Sequence, residues 1–189
     1  MWKFLNKKVN NLNYIENDSF KYTVGGEGDP IIVLHGLMGG LGNFKEFLEK
    51  FPDLGYQVFM PELPIYSASL LDTNVKFFAK YINTFIKKLG LKKVILVGNS
   101  LGGHVALVHA KLFPLNTKAL VLTGSSGLYE NAMGDTYPRR GDYDFIKNKT
   151  QNVFYSPETA TKEVVDEVFE AVNDRRKVLK ILAVAKSAI

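Results

Sequence analysis

Two stretches near the start of the chain alternate apolar and polar residues, 9–15 and 19–24, with Glu16-Asn17-Asp18 between them. That period of two predicts an antiparallel pair of strands at the edge of a sheet. Short continuous apolar runs then recur at 31–34, at 56–60 (closed by Pro61), at 94–97 and at 119–122. Runs of this length predict strands covered on both faces. Between them the period changes to that of a helix, first around 44–51. Over 72–89, Phe78, Tyr81, Ile82, Phe85, Ile86 and Leu89 form one stripe, Lys76, Lys80, Lys87 and Lys88 lie mostly off it, and Gly90 is the stop. A basic amphipathic helix of this kind can also lie on a membrane surface, but the stripe is read as packing against the sheet. A third helical pattern, 105–113, is apolar on most sides and ends before Pro114.

After residue 127 the character changes. Residues 128–155 are polar and turn-rich and carry Arg139 and Arg140. Ser156-Pro157-Glu158 reads as a helix start with proline at the first helical position. Val164, Val165, Val168, Phe169 and Val172 mark one helix, and Val178, Leu179, Leu182, Ala183 and Ala185 a second.

Composition narrows the classes. A chain of 189 residues with 46% hydrophobic and 23% charged residues can bury one large core. No cysteine is present, so a disulfide framework and a cysteine metal site are both excluded. The net charge of +5 is spread along the chain without a basic-aromatic module, so nucleic acid is not an expected partner. Neither a signal peptide nor a run able to span a bilayer is recognisable, and a cytoplasmic protein without stable membrane insertion is the default reading.

The stretch that organises the chemistry is the run 94–97 followed by Gly98-Asn99-Ser100-Leu101-Gly102 and then a helix. A strand, a Gly-x-Ser-x-Gly turn and a helix in that order present the serine at the top of a sharp turn, facing the amides of a helix N-terminus. An ordinary glycine-rich loop could carry the same glycines; the flanking strand and helix favour the nucleophile. With Ile31-Ile32-Val33-Leu34-His35-Gly36-Leu37-Met38-Gly39-Gly40 as a second segment, the chain resembles the α/β-hydrolases, in particular their lid-bearing serine esterases and carbon–carbon hydrolases. The resemblance runs to about residue 126. It implies an α/β-hydrolase fold, a mostly parallel sheet flanked by helices, with a core over 1–126 and a partial helical lid over 127–189. The last core strands and the end of the lid are expected to be missing from these residues.

The resemblance further implies Ser100 as nucleophile, the backbone N–H groups of Leu37 and Leu101 as oxyanion hole, and His35 and Gly36 as the loop that supports it. A serine needs an adjacent base, and in this fold the acid and the histidine follow the nucleophile. The chain has three histidines, His35, His104 and His109, and none follows His109. His35 is read as a brace for its loop, His104 as a weak substitute base, and His109 as structural; Glu130 is an early acid with no histidine to orient. The family often has Asp-x-x-Gly-x-Gly where this chain has Pro61-Glu62-Leu63-Pro64-Ile65-Tyr66-Ser67, a departure expected to touch the pocket wall. Serine rather than aspartate at the elbow argues against dehalogenase or epoxide hydrolase chemistry. No metal or cofactor is expected. Two functions remain open: a serine hydrolase acting on a small acyl substrate, with these 189 residues inactive alone, or a non-catalytic, ligand-binding member of the fold. Oligomeric state is left open.

Overall fold

A computed structural model describes residues 12–17, 19–37, 44–128 and 139–187. Its single six-stranded sheet has the order β1-β2-β4-β3-β5-β6. β1 (Leu12–Glu16) and β2 (Lys21–Gly25) form the expected antiparallel pair, and β2 continues antiparallel onto β4 (Tyr56–Pro61). From there β4, β3 (Asp29–Leu34), β5 (Val94–Asn99) and β6 (Thr117–Thr123) run parallel. β6 lies at the edge and pairs with β5 alone among the described residues; Val121 on it is 47% exposed. An apolar edge of this kind is open to pairing.

The pleat sorts the strand residues onto two faces. Ile32, Leu34, Phe59 and Leu96 point to a core filled by Phe78, Ile82, Phe85 and Ile86 of helix α2 (Val75–Lys88) and by Val105 and Ala106 of α3 (Leu101–Leu112). Ile31, Val33, Val58, Met60 and Val97 point the other way, to Leu48, Phe47 and Phe51 at helix α1 (Lys45–Lys50). Covered on both faces, the central strands read as unbroken apolar runs. The stripe over 72–89 is thus confirmed as a core face. Its helix starts later than the pattern implied, because Asn74 caps it by accepting the Phe77 N–H at 2.8 Å.

After β6 the structure departs from the sequence reading. The polar stretch contains a helix, α4 (Tyr143–Gln151), begun by Asp142 accepting the Phe145 N–H. Ser156-Pro157-Glu158 starts only a single 3-10 turn (Pro157–Thr159), and α5 (Lys162–Asn173) begins after Thr161. α6 (Arg175–Ser187) follows at once. It is docked on the core: Val184 joins the larger cluster, Lys180 Nζ donates to the Ala68 carbonyl and to Thr73 Oγ1, and Ser187 Oγ accepts the Val75 N–H. None of the described helices is long and apolar enough to cross a membrane.

His109, on α3, is fully buried. Its Nδ1 meets Thr117 Oγ1 at 3.2 Å and its Nε2 has no partner among the described residues. Desolvation lowers its pKa from 6.5 to about 4, so the folded protein holds it neutral where the unfolded chain takes up a proton. The stability this provides is complete above pH 6.5 and is lost as pH falls toward 4. The loss at pH 4 amounts to about 3 kcal/mol. Urea titrations from pH 7.5 to 4 on the protein and on His109→Leu are therefore expected to show the gap in unfolding free energy shifting by about that amount in favour of the variant; a gap independent of pH would contradict this.

Candidate active site

Ser100 is the one non-glycine residue among those described with positive φ (52°, with ψ −118°). Such a conformation costs a residue with a Cβ about 1–3 kcal/mol and persists only where neighbours enforce it. Here they do. The Ser100 N–H donates to the Thr123 carbonyl at 3.2 Å, and the Ser100 carbonyl accepts the N–H groups of Gly103 (3.0 Å), His104 (3.2 Å) and Ser126 (3.1 Å). Asn99 Nδ2 donates to the same Thr123 carbonyl at 2.9 Å and to Thr123 Oγ1 at 3.2 Å. The end of β6 therefore clasps the turn from one side.

The other side is set by two glycines. A Cβ on Gly98 would lie 2.5 Å from the Gly102 carbonyl group, and one on Gly102 would lie 2.1 Å from the Leu34 oxygen at the end of β3. Both obstacles are backbone. Their absence lets α3 begin directly against the loop that leaves β3, and brings that loop to the serine: a Cβ built on Gly36 would be 3.4 Å from Ser100 Cβ. The His35-Gly36-Leu37 loop and the Ser100-Leu101 turn, far apart in sequence, are thus neighbours. Ser100 itself is half-buried. Among the described residues neither the Leu37 N–H nor the Leu101 N–H is taken by a loop or cap backbone carbonyl; Leu101 opens a 12-residue helix, whose first-turn amides favour an anion.

His35 occupies a bracing position. The Leu63 N–H donates to its Nε2 at 3.0 Å, which leaves the proton on Nδ1, and Nδ1–H donates to the Gly36 carbonyl at 2.8 Å. Burial lowers its pKa, against the opposing effect of that carbonyl. With both nitrogens engaged it is a neutral strut. His104 packs its ring against Gly127, where a Cβ would lie 2.5 Å from the ring. His109 sits at the far end of α3 beside Thr117, as described above. Glu130, the candidate acid, lies outside the described residues. A shallow cavity of about 300 Å³, lined by Asn17, Ser19, Phe20, Tyr22, Phe85, Lys88 and Leu89, shares no residue with this site. Among the described residues no cluster of His, Asp or Glu could hold a metal ion.

Tyr66 was not singled out by sequence reasoning. Its hydroxyl donates to the Leu37 carbonyl at 3.4 Å, and Lys177 Nζ of α6 lies 5.8 Å from its ring centroid. The departure of 61–67 from the related pattern was the only signal that could have drawn attention to it.

Comparisons with known proteins bear on the fold and the family. A family model described as alpha/beta hydrolase fold matches residues 29–173. The chain is 27% identical over 177 residues to a 2-hydroxy-6-oxo-6-phenylhexa-2,4-dienoate hydrolase of Comamonas testosteroni, covering 84% of this chain and 62% of that protein. It is 34% identical over 125 residues to a 2-hydroxy-6-oxononadienedioate/2-hydroxy-6-oxononatrienedioate hydrolase of the same organism, covering 61% of this chain and 43% of the relative. Among solved structures, MGS-MChE2, an alpha/beta hydrolase enzyme from the metagenome of lagoon sediments at Mar Chica, Morocco, superposes with a TM-score of 0.73 at 45% identity; the match covers 95% of this chain and 66% of that one. The chain thus spans about two thirds or less of the length of these relatives.

The backbone obstacles around Gly102 make a sharp comparison possible. Alanine is intrinsically better than glycine inside a helix, so any loss in Gly102→Ala is steric, and a cost of about 3 kcal/mol or more is expected. Gly90→Ala, at φ +68° with open space around it, is expected to cost about 1 kcal/mol. Thermal or urea unfolding of the two variants checks the order; equal costs would contradict the close approach.

Proposed function

Because the chain belongs to the alpha/beta hydrolase fold family, we propose that it carries the nucleophile and oxyanion half of a serine hydrolase acting on a small ester or related acyl substrate. The observation that supports this reading is the enforced positive-φ conformation of Ser100, with Gly36 close to its Cβ. In the proposed reaction Ser100 Oγ attacks the substrate carbonyl, and the developing oxyanion accepts the N–H groups of Leu37 and Leu101. Two fixed donors contribute a few kcal/mol each to such a transition state. The leaving group departs with a proton, and water then attacks the acyl-serine and frees the enzyme.

The base is the missing part. His35 has both nitrogens occupied, and His109 is buried beside Thr117. The reading therefore places the triad's acid and histidine outside these 189 residues, and the helices after 127 form a partial lid. The relatives named for 2-hydroxy-6-oxo dienoates make cleavage of a carbon–carbon bond next to a ketone the nearest alternative substrate class. The engagement of His35 and His109 keeps a ligand-binding, non-catalytic role as the second reading.

The test fuses residues 1–189 to the remaining third of the Mar Chica relative and measures turnover of short p-nitrophenyl esters and of a 2-hydroxy-6-oxodienoate. The fusion is expected to turn over, to lose a factor of about a million with Ser100→Ala, and to outrun the 189-residue chain by a similar factor. Ligand binding without turnover would favour the receptor role. Ser100-dependent turnover by the short chain at the rate of the fusion would return His104 or His35 to the role of base.

A further inference from the structure

Leu37 is held from both sides by one short segment. A peptide group is planar, with its C=O and the following N–H pointing in opposite directions. When His35 Nδ1–H takes the Gly36 carbonyl, it also aims the Leu37 N–H, which belongs to the same plane. His35 is itself fixed by the Leu63 N–H. The next plane, which begins with the Leu37 carbonyl, meets Tyr66 Oη at 3.4 Å. The two soft dihedrals of Leu37 are therefore bracketed by His35, itself held by Leu63, and by Tyr66. The segment 63–66 is firm: Leu63 and Ile65 are buried, the Ile65 N–H donates to the Leu63 carbonyl, and the Ala68 N–H donates to the Pro64 carbonyl.

We propose that Tyr66 is a positioning residue for the oxyanion site, its hydroxyl holding the Leu37 carbonyl and thereby the direction of the Leu37 N–H, and that helix α6 holds Tyr66 through Lys177. This rests on the hydrolase reading given above. α6 grips the same stretch of chain twice: Lys177 Nζ stands over the Tyr66 ring, and Lys180 Nζ donates to the Ala68 carbonyl. Burial, with Glu167 and Asp174 nearby, raises the Tyr66 pKa, so the hydroxyl keeps its proton and donates at neutral pH. At 3.4 Å the bond is longer than the 2.7–2.8 Å usual for hydroxyl donors. It is a tether rather than a clamp, and its removal is worth a modest factor.

Two measurements on Tyr66→Phe test this. In the 189-residue chain, affinity for an alkylboronic acid is expected to fall several-fold, with the exchange protection of α2 unchanged. In the fusion, kcat for a p-nitrophenyl ester is expected to fall about three- to tenfold, with KM within a factor of two, and affinity for an alkylboronic acid to fall in parallel with kcat. Lys177→Ala is expected to produce a smaller change of the same kind. A merely structural tyrosine would lower the melting temperature without separating kcat from KM. Unchanged boronic-acid affinity, or unchanged kcat in a fusion whose turnover still requires Ser100, overturns the role of Tyr66 and leaves the hydrolase reading intact. A fusion with no Ser100-dependent turnover overturns both.

Discussion

The close approach of the start of α3 to the end of β3, with no Cβ at Gly98 or Gly102 to hold them apart, is the constraint on which the rest depends. It forces the chain to reverse between β5 and α3 in a single residue, and that residue is Ser100. The strain, about 1–3 kcal/mol, is small beside what surrounds it. Four backbone hydrogen bonds converge on Ser100, each worth about 1 kcal/mol net, and they are anchored in β6 and α3 rather than in a loose loop. The serine is held in place by the same bonds that join helix to sheet.

The sheet makes that anchoring rigid. β3, β5 and β6 are parallel and adjacent, so their C-terminal ends emerge side by side, and the loop after β3, the turn after β5 and the Gly124-Ser125-Ser126 segment after β6 meet at one edge. Ligand sites in open parallel sheets form at such edges. Residues 63–66, after β4, complete the ring by reaching His35 and Leu37. What positions the loop is thus a set of neighbouring strand ends, each with a short connection carrying one or two polar contacts. On its outer side β6 has no strand partner among the described residues, while Leu120 and Leu122 still pack on the inner core.

Much of this was legible in the sequence, for local reasons. The turn at Ser100 announced itself because its requirements, small residues on either side of a serine between a strand and a helix, fall within five positions. The central strands were legible because burial on both faces leaves no polar residues in them. Elements whose ends depend on side-chain caps were placed less well: Asn74 and Asp142 set helix starts that apolar periodicity does not mark, and α4 was missed because its exposed faces make it read as loop. The strand order was not legible, since β3 lies between β4 and β5 for reasons of long-range packing. The tie from Leu63 and Tyr66 to the His35 loop was equally hidden, because it joins residues about thirty positions apart through a backbone N–H and a hydroxyl.

The most direct test of the central claim, that Ser100, Leu37 and Leu101 form one oxyanion-binding geometry, is a crystal structure of the chain with a small alkylboronic acid bound to Ser100 Oγ. The account predicts Ser100 at positive φ and one boronate oxygen about 3 Å from both the Leu37 and the Leu101 nitrogens. Ser100 in a regular helical conformation, or a boronate whose oxygens meet neither nitrogen, would contradict it.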